Sequence, residues 1–250
     1  MLKIVMTFVL INLIVPNNEV HVEAAEKESV TIAMRNNALN ATIQFFNAQK
    51  NCKTDKMSKY SIDIQNVDRS SYDQTFCKKN PLQKAEITDL TVVSSDLALA
   101  SVHLDFEDQV IVQTFPVIKK EGKWRIVKGV YRKQAAEKTM NIGMLNGIKG
   151  YFSSIHSGNE AALRKYARKF NKDHEQIDNR DRISALEYNI HNVTTLTNTA
   201  SIVDISVING KQVNMIKYVV YKADNNWKVI ADRHLVKAVI PKNANPVEVK

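Results

Sequence analysis

Phe115-Pro116-Val117-Ile118-Lys119-Lys120-Glu121-Gly122-Lys123-Trp124-Arg125-Ile126-Val127 and Tyr218-Val219-Val220-Tyr221-Lys222-Ala223-Asp224-Asn225-Asn226-Trp227-Lys228-Val229-Ile230 are the two stretches on which the fold turns. Phe115, Val117, Lys119, Trp124, Ile126 and Val127 stand 103 residues before Tyr218, Val220, Lys222, Trp227, Val229 and Ile230, so the chain's two tryptophans occupy equivalent places. In each stretch two β-rich runs flank a short polar segment, Glu121-Gly122 in one and Asp224-Asn225-Asn226 in the other, which reads as a hairpin. A period near 100 residues marks a duplicated domain, since solenoid units repeat at about 20–50 residues.

The likeness extends outward. Ala38-Leu39-Asn40-Ala41 precedes Phe45-Phe46, as Met144-Leu145-Asn146-Gly147 precedes Tyr151-Phe152, and Gln109-Val110 answers to Gln212-Val213. Residues 31–50 and 140–156 carry apolar side chains at helical spacing: Ile32, Leu39, Ile43 and Phe46 in one, Leu145, Ile148, Phe152 and Ile155 in the other. Leu163, Tyr166, Ala167 and Phe170 predict a further amphipathic helix over 159–172. Beyond about residues 82 and 183 the period drops to two: Val102, Leu104 and Phe106 alternate with His103 and Asp105, and Val203, Ile205 and Val207 with Asp204 and Ser206. Glu107-Asp108 and Asn209-Gly210 mark bends between strands. The expected class is α+β: two similar domains, each with N-terminal helices packed on a curved antiparallel sheet of about four strands. The expected bounds are 25–135 and 136–240, with the junction inside 134–139 and a flexible tail over 241–250.

Helices, then a long antiparallel sheet, then a hairpin closing in Lys119-Lys120-Glu121-Gly122-Lys123-Trp124-Arg125-Ile126, resemble the cone-shaped fold of nuclear transport factor 2 and its bacterial relatives. The second copy has Asn225-Asn226 where the first has Gly122-Lys123, and neither copy carries that superfamily's enzymatic residues at matching positions. The resemblance implies a cone fold. It leaves open several tasks, because members include isomerases, dehydratases, small-molecule binders and structural extracytoplasmic modules.

Residues 1–24 read as a signal peptide. Lys3 gives a positive start, Ile4–Val15 is an apolar run, Pro16 ends it, and Val22-Glu23-Ala24 offers a cleavage site before Ala25. The apolar run is short of the roughly 20 residues that span a bilayer. The formal charge is +9, and loss of Lys3, Glu19 and Glu23 with the leader raises it to +10. Outside the cytoplasm such a cation attracts anionic wall polymer, membrane surfaces or acidic proteins; nucleic acid is not an expected partner there. Cys52 and Cys77 are expected to pair in that oxidising setting, closing a loop worth about 3 kcal/mol in the chain-entropy model. Two cysteines without nearby histidines do not complete a zinc shell, and no metal or cofactor is expected.

The common metal, nucleophile and phosphate motifs are absent from the sequence. His103 with Asp105, and Asp232 with His234, are i, i+2 pairs on strands and the best acid–base candidates, yet their alternation with apolar residues turns them to solvent. No catalytic residue is assigned. Trp124 and Trp227 read as core plugs beside their turns. Arg164, Lys165, Arg168, Lys169 and Lys172 form a basic stripe opposite the apolar face of the 159–172 helix, either a solvated face or an anion-docking surface. The expected function is an exported, non-catalytic binding or structural module docking to anionic envelope material or an acidic partner. The alternative is a small-molecule binder or an isomerase- or dehydratase-like enzyme with a cone-shaped pocket.

Overall fold

The structure is a computed structural model and describes residues 18–64, 77, 79–130, 141–170, 186–209, 212–231, 235 and 237–242. The elements run α1 (Asn18–Lys50), α2 (Thr54–Lys59), β1 (Ser61–Asp63), β2 (Lys84–Val92), β3 (Leu97–Asp105), β4 (Gln109–Lys120), β5 (Lys123–Lys128), α3 (Ile142–Ser157), α4 (Glu160–Tyr166), β6 (Ala167–Arg168), β7 (Leu186–Thr197), β8 (Ala200–Asn209), β9 (Gln212–Ala223), β10 (Asn226–Ile230) and β11 (Lys237–Pro241). The class is α+β, with helices packed on two sheets. Most of the expected leader, residues 1–17, lies outside the described residues, and α1 already runs from Asn18. Among the described residues no helix is long and apolar enough to cross a membrane.

The first sheet has strand order β1-β5-β4-β3-β2, and the second β6-β10-β9-β8-β7. In each, the expected four-strand antiparallel meander gains a two- or three-residue strand that runs parallel to the Trp-bearing strand. The hairpins at Glu121-Gly122 and Asp224-Asn225 have positive φ at both central positions, the backbone that matches the twist of flanking strands. The sheets share one irregularity, and β7 has a second between Thr195 and Thr197. β2 shifts register between Ile87 and Asp89, β7 between Ile190 and Asn192, and both shifts face the same pairing step on β3 and β8. Such a bulge bends its strand and increases the local twist.

Helix ends follow local chemistry. Asn141 caps α3, its side chain accepting from the backbone N–H of Gly143 and Met144 at 2.8 and 3.3 Å, and Gly158 ends it in the left-handed conformation. Asn159 then caps α4 through the N–H of Ala162 at 2.9 Å. At the end of α1 the left-handed residue is Cys52, whose N–H donates to Gln49 O and whose neighbour Lys53 donates to Ala48 O. That reversal delivers Cys52 to Cys77, and the two are joined by a disulfide with Cα atoms 5.6 Å apart.

Part of each sheet, Leu97–Ala100 in one and Tyr218–Tyr221 in the other, is buried on both faces. Ala98, Ala100, Val102 and Leu104 of β3 meet Ala38, Ala41, Phe45 and Phe46 of α1, with Phe115, Val117, Trp124 and Ile126 completing that core. Val203, Ile205 and Val207 of β8 likewise meet Met144, Ile148, Tyr151 and Phe152 of α3. The residues of opposite parity, Leu97, Leu99, Ile118 and Val127, pack on Ala200, Ile202, Val219, Tyr221 and Ile230 of the second sheet. The two sheets therefore stand back to back around a third apolar layer. Two-sided burial explains why Leu97–Ala100 is an unbroken buried run, where one solvated face would leave polar residues at alternate positions. Polar bonds cross the same boundary: Thr199 Oγ1 donates to Asp96 Oδ2 at 2.7 Å, and Arg168 donates to Val93 O at 3.5 Å.

One expectation is corrected here: the 159–172 helix ends at Tyr166, because Ala167 and Arg168 leave it to pair with Val229 and Ile230. A strand not foreseen from the sequence, β11, lies antiparallel along Gln109–Gln113 of β4, with Pro241 opposite Gln109. The segment 237–241 thus belongs to the first sheet, although the duplication places it at the end of the second copy.

Candidate functional site

Between α1 and the edge strand β2 lies an open cleft of about 390 Å³. From the helix come Leu39, Ile43, Phe46, Asn47 and Lys50, which share one face at spacings of three, four and seven. From the strand come Lys84, Ala85 and Ile87, the last immediately before the bulge. The floor is apolar. Asn47, Lys50 and Lys84 are its polar lining residues, and among the described lining residues there is no carboxylate, imidazole, thiol or hydroxyl. Lys84 Nζ also reaches Glu86 Oε2 at 2.9 Å, both side chains being well exposed. Their hydrogen bond, and then their mutual attraction, raises the Lys84 ammonium above its ordinary 10.5 and lowers the Glu86 carboxyl below 4.5.

The other half carries a tyrosine at the position equivalent to Ala85. Registers align Ala85, paired with Leu104, to Tyr188, paired with Val207. Phe45, Phe46 and Phe115 recur as Tyr151, Phe152 and Tyr218, with centroid distances of 5.0 and 5.5 Å in one trio and 5.1 and 6.1 Å in the other. The second trio has a fourth ring. Tyr188 stacks on Phe152 at 4.2 Å with planes 15° apart, and burial raises its phenol above the ordinary 10.0. Where that ring stands, the first half has a methyl group.

The residues singled out from sequence scatter. His103 is exposed, and Asp105, half-buried, forms an ion pair with Lys242, so the pair assembles no acid–base dyad. Asp232 and His234 lie outside the described residues. Trp124 is a buried core residue, whereas Trp227 is half-buried beneath α3. Of the basic stripe, Arg164 and Lys165 sit in the last turn of α4, with Lys165 Nζ 5.2 Å from the Tyr166 ring. Arg168 is exposed, its guanidinium 4.5 Å from the Phe170 ring, and it donates to Tyr221 Oη of its own sheet. Lys169 follows the strand and has an interaction of its own, and Lys172 lies outside the described residues. No single helical face carries the five. The cleft was missed in the sequence, although one signal was present: at the 103-residue offset Ala85 falls opposite Tyr188, a loss of side-chain volume beside an otherwise repeated aromatic cluster.

Comparison with known proteins gives three findings. Residues 34–132 match a family model described as "Putative lumazine-binding", a stretch that contains every lining residue of the cleft and less than half of the chain. An "Ntf2 like protein involved in plasmid conjugation" is 11% identical, with 77% of this chain and 88% of that one covered at a TM-score of 0.26. A cystatin-like protein from Ruminococcus gnavus ATCC 29149 is also 11% identical, with 63% and 68% covered at 0.25. No curated protein matches. The α+β arrangement rests on the strand order and registers above.

Proposed function

We propose that this chain is an exported, non-catalytic binding module whose ligand sits in the cleft between α1 and β2. The observation that carries the reading is the cleft itself, an apolar floor with two lysines and one asparagine among its lining residues. That is the usual composition of a small-molecule site, mostly apolar with a few placed polar groups. A binding role is favoured over catalysis because the lining offers no acid–base pair or nucleophile. The anionic character expected of the partner enters through Lys50 and Lys84, in place of the dispersed basic stripe. The family description supports ligand binding for the same stretch of chain.

Ligand-observed NMR with a fragment library on the full chain tests this. Hits should bind at a single place and be lost in Ile43→Glu, an exposed position where the charge is tolerated by the fold. Absence of hits, or hits unaffected by Ile43→Glu, refutes the cleft as the site. Export is tested separately: protein recovered outside the cytoplasm should begin at or beside Ala25, and an intact Met1 chain in the cytosol refutes it.

A further inference from the structure

We infer that the cleft takes an extended peptide segment of an acidic partner protein, which adds itself as a strand to the outer edge of β2. The inference rests on the binding role proposed above and names the ligand's class. β2 ends the strand order of the first sheet, and among the described strands it pairs with β3 alone. Alternate N–H and C=O groups of an edge strand point away from its neighbour, and a second main chain is what pairs with such a row. The cleft lies along that edge. Its strand side is made by Ile87 and by Lys84 and Ala85, consecutive residues on opposite faces of β2, so it follows the strand's rim as well as one face. Leu39, Ile43 and Phe46 of α1 form the far wall.

The chemistry of the groove selects the occupant. A lipid tail or a flat hydrocarbon would cover the edge N–H and C=O groups without pairing them, and a polar group taken from water unpaired is costly. A peptide strand pairs them, and every second side chain then turns toward the apolar floor. The register shift between Ile87 and Asp89 ends the regular edge, with Thr88 Oγ1 donating to Ser101 O at 3.2 Å. From Leu39 to Lys50 α1 rises about 16 Å, the length of about five extended residues. The occupant is therefore short. Its charge follows from the lining, which among the described residues holds no carboxylate. Lys84 is engaged by Glu86, so the cation offered to a ligand is Lys50, exposed in the last turn of α1. A chain of net charge +9 repels a second copy of itself and attracts an acidic protein. A segment with apolar residues at alternate positions and a carboxylate at one end fits all of these.

The test titrates the full chain by calorimetry with the peptide acetyl-Glu-Thr-Val-Thr-Val-Thr-Glu-amide. Its valines and glutamates share one face, and it offers a carboxylate at either end. It should bind, and hydrogen exchange should slow at the amides of residues 84–87. Two isomers, N-methylated on the threonine amides or on the valine amides, separate strand pairing from mere apolar contact. Only one of these sets can point at β2, so one isomer should lose about ten-fold in affinity and the other far less. Equal effects of the two overturn the strand. Lys50→Gln should weaken the peptide about two- to five-fold and leave its glutamine analogue unchanged; no difference between the two overturns the acidic partner. Ile43→Glu, at an exposed position, should abolish binding at an unchanged melting temperature, and persistence overturns the site. Binding seen only in a chain ended at Lys242 would give the groove to residues 243–250, and self-association lost in Ile43→Glu would give it to a second copy. Either result overturns the partner protein. A wild-type chain that binds fragments but no peptide overturns the peptide class and leaves the binding role standing.

Discussion

Leu97→Ala probes the layer between the sheets. Leu97 opens β3, is fully buried, and faces Leu99, Ile118 and Val127 of its own sheet together with Ala200, Ile202, Val219 and Tyr221 of the other. Truncation of such a leucine in a packed core costs about 2–5 kcal/mol, the spread reflecting how far the cavity collapses. A sheet backbone on either side permits little collapse, so about 3 kcal/mol is expected. With a urea slope of about 3 kcal/mol/M, the midpoint should fall by about 1 M. The decisive feature is where the loss is read. Trp124 reports the first half and Trp227 the second, so urea melts of the Trp227→Phe and Trp124→Phe backgrounds observe each half alone. If the sheets share one cooperative core, Leu97→Ala lowers both midpoints equally. Ile202→Ala, entered from the second sheet, does the same. A midpoint at Trp227 that ignores Leu97→Ala would show two independently melting halves and refute the shared layer.

Three other outcomes are expected. Reducing the Cys52–Cys77 disulfide should cost about 3 kcal/mol, by the entropy of its 25-residue separation, read as a lower melting temperature with reductant; an unchanged temperature contradicts it. Gly147→Ala would place a Cβ 2.5 Å from Trp227 O and 2.9 Å from Trp227 Cβ, so α3 must lift from β10; a loss of about 1–3 kcal/mol and altered Trp227 fluorescence should follow, and a neutral result would refute that contact. Burial holds the phenols of Tyr188 and Tyr221 above the ordinary 10.0, which favours their neutral forms in the fold. Their contribution is complete below the unfolded value and is lost as pH climbs through the raised ones, so stability should fall above about pH 10. Absorbance titration should show tyrosines ionising late in the folded chain, and a single phenolate transition at the ordinary value would count against it.

The strands and hairpins were legible because β-branched alternation and the paired tryptophans recur at one offset. The back-to-back layer was not read, since Leu97, Leu99 and Ile202 belong to the parity that a one-sided sheet would expose. Tyr166 and Phe170 misled for a related reason: their spacing of four is helical, yet one packs beneath Gly150 of α3 and the other on the back of the sheets. Local pattern does not say which of two buried surfaces an apolar residue serves. The same ambiguity hid β11, whose Ala238-Val239-Ile240 would suit either sheet. The cleft needed the registers of β2 and β7, because a missing side chain shows only beside the copy that retains it.

The placement of β11 also sets an order of assembly. Residues 109–113 of β4 come early from the ribosome, but the strand that covers their outer edge is made of residues 237–241. Through the synthesis of more than a hundred intervening residues, the first sheet carries an unpaired rim. The second half must be made, and laid against its back, before that rim is sealed. Completion of the first sheet therefore waits on residues 237–241, and any chain truncated before Lys237 leaves that stretch of strand edge open for another chain to pair with.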